Sequence, residues 1–360
     1  MEHLAIDLGA RKSQICVRSS QGEIIEETRW PTETLAKYLE SRPASRVILE
    51  TSSEAFAVAE MARALGHEVR VVPAVLVRSL GVGARGIKND KRDARATSEA
   101  SCRADLPSVH IPSMQSRELR ATCTSREALV ATRTKLVNTV RSFMRTQLVT
   151  MAKGTPATFA TRARIRLLQT EGGIPEHIEQ ILKVIECLNT QVATADKELA
   201  ALASAHPRCK QLMTVPGVGP VTSARFVAAV DDVGRFTNAH QLQSYFGLTP
   251  GEKVTGFQGH RTHLTKAGNP RMRWTLVQAC WSAIRCRPGD PMVAWALKVA
   301  ERRGRGVAVV ALARKMTGIL YAMWRDGSAY DPAKLKGAWP RQGRAGGLKT
   351  KRRDPCVTLS

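Results

Sequence analysis

Two short apolar runs near the start of the chain each end in a carboxylate. HLAID closes on Asp7 and RVILE closes on Glu50, and a charged stretch, KNDKRDA, then supplies Asp90 and Asp93. An acid at the end of an otherwise apolar strand needs a cation or a hydrogen-bond network to offset its burial. The chain is therefore constrained to a fold that gathers such strand ends, the usual way of holding Mg²⁺ against a nucleic-acid phosphate. Asp90 and Asp93, three residues apart at the start of a predicted helix, share one face of it, where either also serves as a cap.

The pattern around these acids specifies mixed α/β structure. Residues 3–29 read as a meander: Leu4 to Asp7, Gln14 to Arg18 and Glu23 to Thr28, with a Ser-Ser-Gln-Gly turn at 19–22. Strand and helix then alternate. Thr34 to Ser41 is helical, Arg46 to Glu50 a buried strand, Ser53 to Gly66 a helix closed by its glycine, and Glu68 to Val72 a strand before Pro73. Glu54 reads as a capping residue of its helix rather than a further acid of the site. A meander followed by βαβ units is the order found in ribonuclease-H-like domains.

Charge points to the partner. The chain carries 55 Lys+Arg against 31 Asp+Glu, a formal net charge of +24 over 360 residues, of the sign that attracts polyphosphates. A basic membrane-surface protein is the competing class. It is disfavoured because no unbroken apolar stretch approaches the length of a membrane span and no signal-peptide core follows Met1. The expected location is cytoplasmic, on the bacterial nucleoid. Eight cysteines are scattered without a CxxC pair, which argues against a zinc ribbon or a disulfide framework and predicts reduced, mostly packed thiols.

Between about 115 and 205 the period changes. Ile178, Ile181, Ile185, Leu188, Val192, Ala195 and Leu199 form the seam of a coiled coil or long helical hairpin. An earlier helix, Ser116 to Leu148, carries Leu129, Leu136 and Phe143 at seven-residue spacing, with Arg126, Arg133, Arg141 and Arg145 beside them as a basic flank suited to phosphate.

A third segment begins near Leu212. VPGVGPVTSARFVAAV places Gly217 and Gly219 in a turn feeding a helix, an arrangement like a helix-hairpin-helix whose free amides meet a phosphate; a plain αα-hairpin fits the same residues. Thr249 to Asn269, with Lys253, Arg261 and Lys266, reads as a surface loop suited to a polyanion, and Arg271 and Arg273 open the next helix. His260 and His263 lack a third ligand nearby and read as phosphate contacts or plainly exposed residues rather than a metal pair. Trp274 and Trp281, seven apart, read as a packed helix face rather than a base-stacking platform. Trp274 to Tyr330 reads as two helices separated at Pro288 to Asp290, and the chain beyond Arg341 as a basic tail.

AIDLG, ILETSSEAF, KNDKRDA, the PGVGP turn and YFGLTPGEKVTGFQGHRTHLTKAGNPRMRW follow one another as in the DEDD transposases of the insertion-sequence 110 family, the group that includes Piv-type DNA invertases. The chain resembles that family from Leu4 to about Pro332. The resemblance implies a ribonuclease-H-like (RuvC-like) domain at 1–110, a coiled-coil helical connector at 111–207, a mainly helical transposase domain at 208–335 and a basic tail at 336–360. It implies Mg²⁺-dependent DNA cleavage and rejoining, with DNA duplexes as partners, and a structured guide RNA as a further partner in some members. The family's acidic tetrad falls on Asp7, Glu50, Asp90 and Asp93. Its nucleophilic serine, just before a glycine, falls on Thr255, and no serine lies between Ser244 and Ser282. A threonine hydroxyl serves the same chemistry, with a methyl that crowds the attack. Recombining two duplexes implies a dimer or tetramer joined through the heptad seam. Two other classes stay open on the residues alone: a metal-dependent structure-selective endonuclease, and a nucleic-acid-binding protein without catalysis.

Overall fold

The computed structural model describes residues 1–73, 75–76, 90–103, 106–255 and 258–335; the tail at 336–360 lies outside the described residues. The chain divides into two compact units, one of Met1–Ser113 and one beginning at Met114.

The first unit is built on a five-stranded sheet. Its strands are β1 (His3–Asp7), β2 (Lys12–Arg18), β3 (Ile24–Pro31), β4 (Arg46–Glu50) and β5 (Glu68–Val72), in the order β3-β2-β1-β4-β5. The meander is antiparallel, whereas β1 pairs in parallel with β4, and β4 with β5. Helices α1 (Leu35–Glu40) and α2 (Ala55–Ala64) supply the crossovers, and α3 (Asp90–Arg103) packs against β1, β2 and β4. Side chains alternate across a strand, so β1 and β4 divide their apolar residues between two layers. Leu4, Ile6, Val47 and Leu49 join a core with Leu35, Leu39, Ala55 and Ala59 of the crossover helices. Ile48 belongs to a separate small cluster with Val72 and Leu106. Coverage on both faces explains why the centre of β1 is apolar at every position.

Glu54 stands at the N-cap of α2 but makes no side-chain cap bond. The hydroxyl of Ser52 accepts from the Ala55 amide at 3.2 Å instead, because the shorter side chain reaches a helix amide that the glutamate overshoots.

The second unit joins a helical hairpin to a helical bundle. Helix α4 (Met114–Thr146) runs against α6 (Glu176–Ala205), with α5 (Phe159–Leu167) packed at one end. The α6 seam follows the expected stripe through Ile178, Ile185, Val192 and Leu199, with Leu182 buried in addition. On α4 the seam lies one position from the expected one. Val137, Val140 and Met144 are buried, while Leu129, Leu136 and Phe143 are half-buried along its edge, since α4 turns its apolar face to α5 and α6 together.

The bundle comprises α7 (Pro207–Leu212), α8 (Pro220–Val230), α9 (Ala239–Tyr245), α10 (Pro270–Cys286), α11 (Pro291–Arg303) and α12 (Arg305–Asp326) around Phe226, Phe246, Leu276, Leu312, Met316 and Leu320. The expected two final helices are three, because Gly304, at φ 81°, ends α11 and turns the chain into α12. Helix α12 is long and apolar enough to cross a membrane by length and composition, although Arg314 and Lys315 interrupt its apolar run, and it contributes eleven buried residues to the bundle, from Ala308 to Trp324. Seven cysteines among the described residues are free, four of them buried.

The segment at 249–269 is not the irregular loop expected. Pro250–Thr255 (β6) and Gln258–Leu264 (β7) pair as an antiparallel hairpin with Thr255 opposite Gln258. Its strands lack an apolar alternation in sequence, so the ladder pairing is what sets them as strands.

Candidate active site and nucleic-acid interface

Ile6 of β1 lies opposite Leu49 of β4 in parallel register, and Asp7 and Glu50 are the next residues on each strand. Strand parity puts both acids on the face opposite Ile6 and Leu49, the face that α3 covers. Asp93, in the first turn of α3 and only 9% exposed, completes the arrangement. Asp7, Glu50 and Asp93 line one recess of about 10 Å³ together with Ala5, Ala94 and Thr97. That is room for about one water-sized species.

Helix α3 is anchored from several directions. His3 Nδ1 lies 2.7 Å from Ser101 Oγ, and Arg18 Nε donates to Ser98 Oγ at 3.0 Å. On the exposed side, Arg95 and Lys91 both pair with Glu27 of β3, the lysine at 3.1 Å. The Arg95 hydrogen bonds, assisted by Lys91, hold the Glu27 carboxyl down at about 2. Asp90, at the first position of α3, does not line the recess; it is exposed and pairs with Arg29 at 3.5 Å. The structure thus brings three of the four predicted acids together and leaves the fourth a helical turn away.

A hard divalent cation suits this donor set, since carboxylate oxygens with retained waters are its preferred ligands. Among the described residues, no three Asp, Glu, His or Cys side chains are grouped closely enough to hold a metal ion as they stand. The acids converge on the recess but do not by themselves enclose an ion.

In the second unit, Thr255 ends β6 at the turn of the hairpin; residues 256 and 257 lie outside the described residues, as do the side chains of 252–262. Lys253 and Arg261 are therefore placed by register alone, opposite His260 and Glu252. His263 and Lys266 are exposed. Arg273 Nη1 donates to the carbonyls of Phe246 at 3.1 Å and Gly268 at 3.0 Å, tying the loop after α9 to the start of α10. Asn269 caps α10, and Arg271 remains exposed beside Glu127, at 3.4 Å.

The turn between α7 and α8 has two glycines with different roles. Gly217 has φ 83°, and a Cβ there would lie 2.2 Å from the Ala279 carbonyl, so close backbone approach to α10 requires glycine. Gly219 is the N-cap of α8, with no side-chain cap and open space around its Cβ position. Three arginines of the expected basic flank have partners within the hairpin. Arg126 pairs with Asp196, Arg133 donates to Asn189 Oδ1 at 3.0 Å, and Arg141 stacks over Phe159. Trp281 is half-buried against the bundle, but Trp274 is 59% exposed, so the packed face expected of the pair holds for one of them only. Seven-residue spacing placed both on one stripe; what Trp274 meets there is decided by where α4 runs, which no local signal reveals.

Strand-end acids beneath a helix and a basic C-terminal bundle suit a nucleic-acid partner, and comparison with known proteins gives the class. A family model described as Transposase IS116/IS110/IS902 family matches residues 209–292, and the DEDD transposase model of the same group matches residues 4–148. The chain belongs to this family of insertion-sequence transposases. It is 26% identical to the transposase for insertion sequence element IS1111A of Coxiella burnetii, over 89% of this chain and 88% of that one. It is 24% identical to a probable family 20 transposase of Pseudomonas aeruginosa (92% and 99% covered) and 24% identical to the transposase for IS1328 of Yersinia enterocolitica (91% and 98%).

Proposed function

We propose that the protein cuts and rejoins DNA strands for transposition of its insertion sequence, using Asp7, Glu50, Asp93 and Asp90 to hold Mg²⁺ and the Thr255 hydroxyl as nucleophile. The observation that carries this reading is the convergence of Asp7, Glu50 and Asp93 on one recess at the carboxyl ends of adjacent parallel strands. The order of the meander and the parallel strands supports a ribonuclease-H-like (RuvC-like) first unit. When bound, Mg²⁺ supplies Lewis-acid stabilisation of charge at a phosphate. Asp90 joins its three neighbours by leaving Arg29, an exposed pair of a kind worth about 0–1 kcal/mol.

Thr255 is carried on the other unit, at a hairpin turn, a placement suited to entering a groove. Its oxygen attacks phosphorus and loses its proton, the P–O3′ bond breaks, and the 3′-hydroxyl leaves. The phosphothreonine bond conserves the phosphodiester energy, and attack by a 3′-hydroxyl of a second strand reverses it, so no nucleotide cofactor is needed. Gly219 and the α8 amides, with Lys253, Arg261, Lys266 and Arg271, supply phosphate contacts. Arg126, Arg133, Arg141 and Arg273 reach phosphate only by giving up their internal partners. A structured RNA transcribed from the element and an oligomer of two or four subunits fit the same reading.

The test is adduct trapping on a nicked recombination-site duplex. Thr255→Val eliminates the covalent protein–DNA species, and Thr255→Ser keeps or increases it by removing the methyl. Parental cleavage by Thr255→Val, with no adduct in any variant, would move the attack to water and make the protein a metal-dependent endonuclease. No cleavage by any form with Mg²⁺ would leave a binding protein only.

A further inference from the structure

Helix α10 buries Met272, Thr275, Leu276, Ala279, Cys280 and Ala283, and Trp274 points away from all of them. Its indole stands at the wall of a groove of about 950 Å³ between the start of α10 and the middle of α4. That volume lies at the upper end of ordinary ligand sites and exceeds a nucleoside's needs. The α4 wall includes the small or short side chains Val130, Ala131 and Thr134, which leave part of the helix surface hollow. Lys135 and Arg271 supply positive charge at the rim.

Charge selects the occupant. The acid of the groove, Glu127, is already shared between Arg225 at 3.3 Å and Arg271 at 3.4 Å, so the local balance stays positive, as does the chain's at +24. A flat apolar ring beside cations suits a nucleobase with its flanking phosphates, because every base offers a π-face and the backbone offers the charge. The groove also follows directly on the hairpin of Thr255, since β7 ends at Leu264 and α10 begins at Pro270. Cutting and exchanging strands unpairs bases beside the cut, and these need an apolar surface until they pair again.

The geometry points to Trp274 as a stacking platform for one unpaired DNA base held in this groove, with Arg271 and Lys135 on the adjoining phosphates. This rests on the DNA-acting reading above and goes beyond it, since the ring contributes nothing to bond breaking.

The full-length chain is titrated with a DNA duplex bearing one bulged 2-aminopurine, the same duplex fully paired, and an RNA duplex with the same bulge. The parent binds the DNA bulge about tenfold more tightly than the paired duplex, on the scale of one base–aromatic stack. Binding quenches the 2-aminopurine. Trp274→Ala loses the preference and the quenching while binding paired DNA as the parent does, and Trp274→Phe restores most of both. Equal parental affinity for bulged and paired DNA overturns the proposal, as does a preference that survives in Trp274→Ala. Tighter binding of the RNA bulge than the DNA bulge overturns the choice of DNA, and a changed oligomeric state in Trp274→Ala shows that a second copy fills the groove. Failure to bind paired DNA at all would overturn the DNA-acting reading itself.

Discussion

Asp7 and Glu50 follow a single ladder pair, Ile6 opposite Leu49, so two acids 43 positions apart in the chain emerge side by side at the same end of adjacent parallel strands. With Asp93 of α3 they line one recess.

Asp7→Asn, Glu50→Gln and Asp93→Asn should each lower Mg²⁺-dependent strand cleavage by at least about 100-fold, the scale of losing one charge-stabilising group. Each should stay folded and still bind nucleic acid, because a neutral isostere removes only the charge a cation needs. Cleavage assays and thermal melts read both. A variant that cleaves normally, or that unfolds, would assign that acid a structural role.

Glu27 holds α3 from the exposed side, and its carboxyl sits below the ordinary range, at about 2, through Arg95 first and Lys91 second. A depressed carboxylate contributes stability that is present above the unfolded value near 4.5 and is lost as pH falls toward 2. Glu27→Gln should therefore be less stable at pH 7 by about 1 kcal/mol or less, given its solvent screening. It should also lose that share of the parent's acid sensitivity. Urea denaturation across this pH window measures the difference.

The two glycines of the α7–α8 turn should separate cleanly. Gly217→Ala meets the Ala279 carbonyl from a positive-φ position and should destabilise by more than about 1 kcal/mol. Gly219→Ala meets nothing and should change stability by less than about 1 kcal/mol. Equal effects in chemical denaturation would contradict the packing described for this turn.

Salt dependence should distinguish free cations from engaged ones. Lys266→Gln should reduce the slope of log affinity against log salt by about 1. Arg126→Gln should leave the slope nearly unchanged and cost about 1 kcal/mol or less of stability, because Asp196 already holds that guanidinium. Filter binding at several salt concentrations reads the slopes.

Much of this protein was determined by local sequence. Apolar runs of strand length ending in Asp7 and Glu50, helical periods closed by glycines such as Gly66, and the stripe through Ile178, Ile185 and Val192 are properties of neighbouring residues, legible without tertiary contacts. The ordered motifs likewise carried the family. What only the tertiary structure decided depends on residues far apart in the chain. The parallel register of β1 and β4 and the docking of α3 put Asp93 in the recess and left Asp90 outside it with Arg29. Ladder bonds without an apolar period made 250–264 a hairpin. The path of α4 gave Arg126 and Arg133 internal partners and left Trp274 facing a groove instead of a core. Periodicity states which face of an element is apolar; which neighbour meets that face is set by long-range packing, and at these positions the neighbour decides the chemistry.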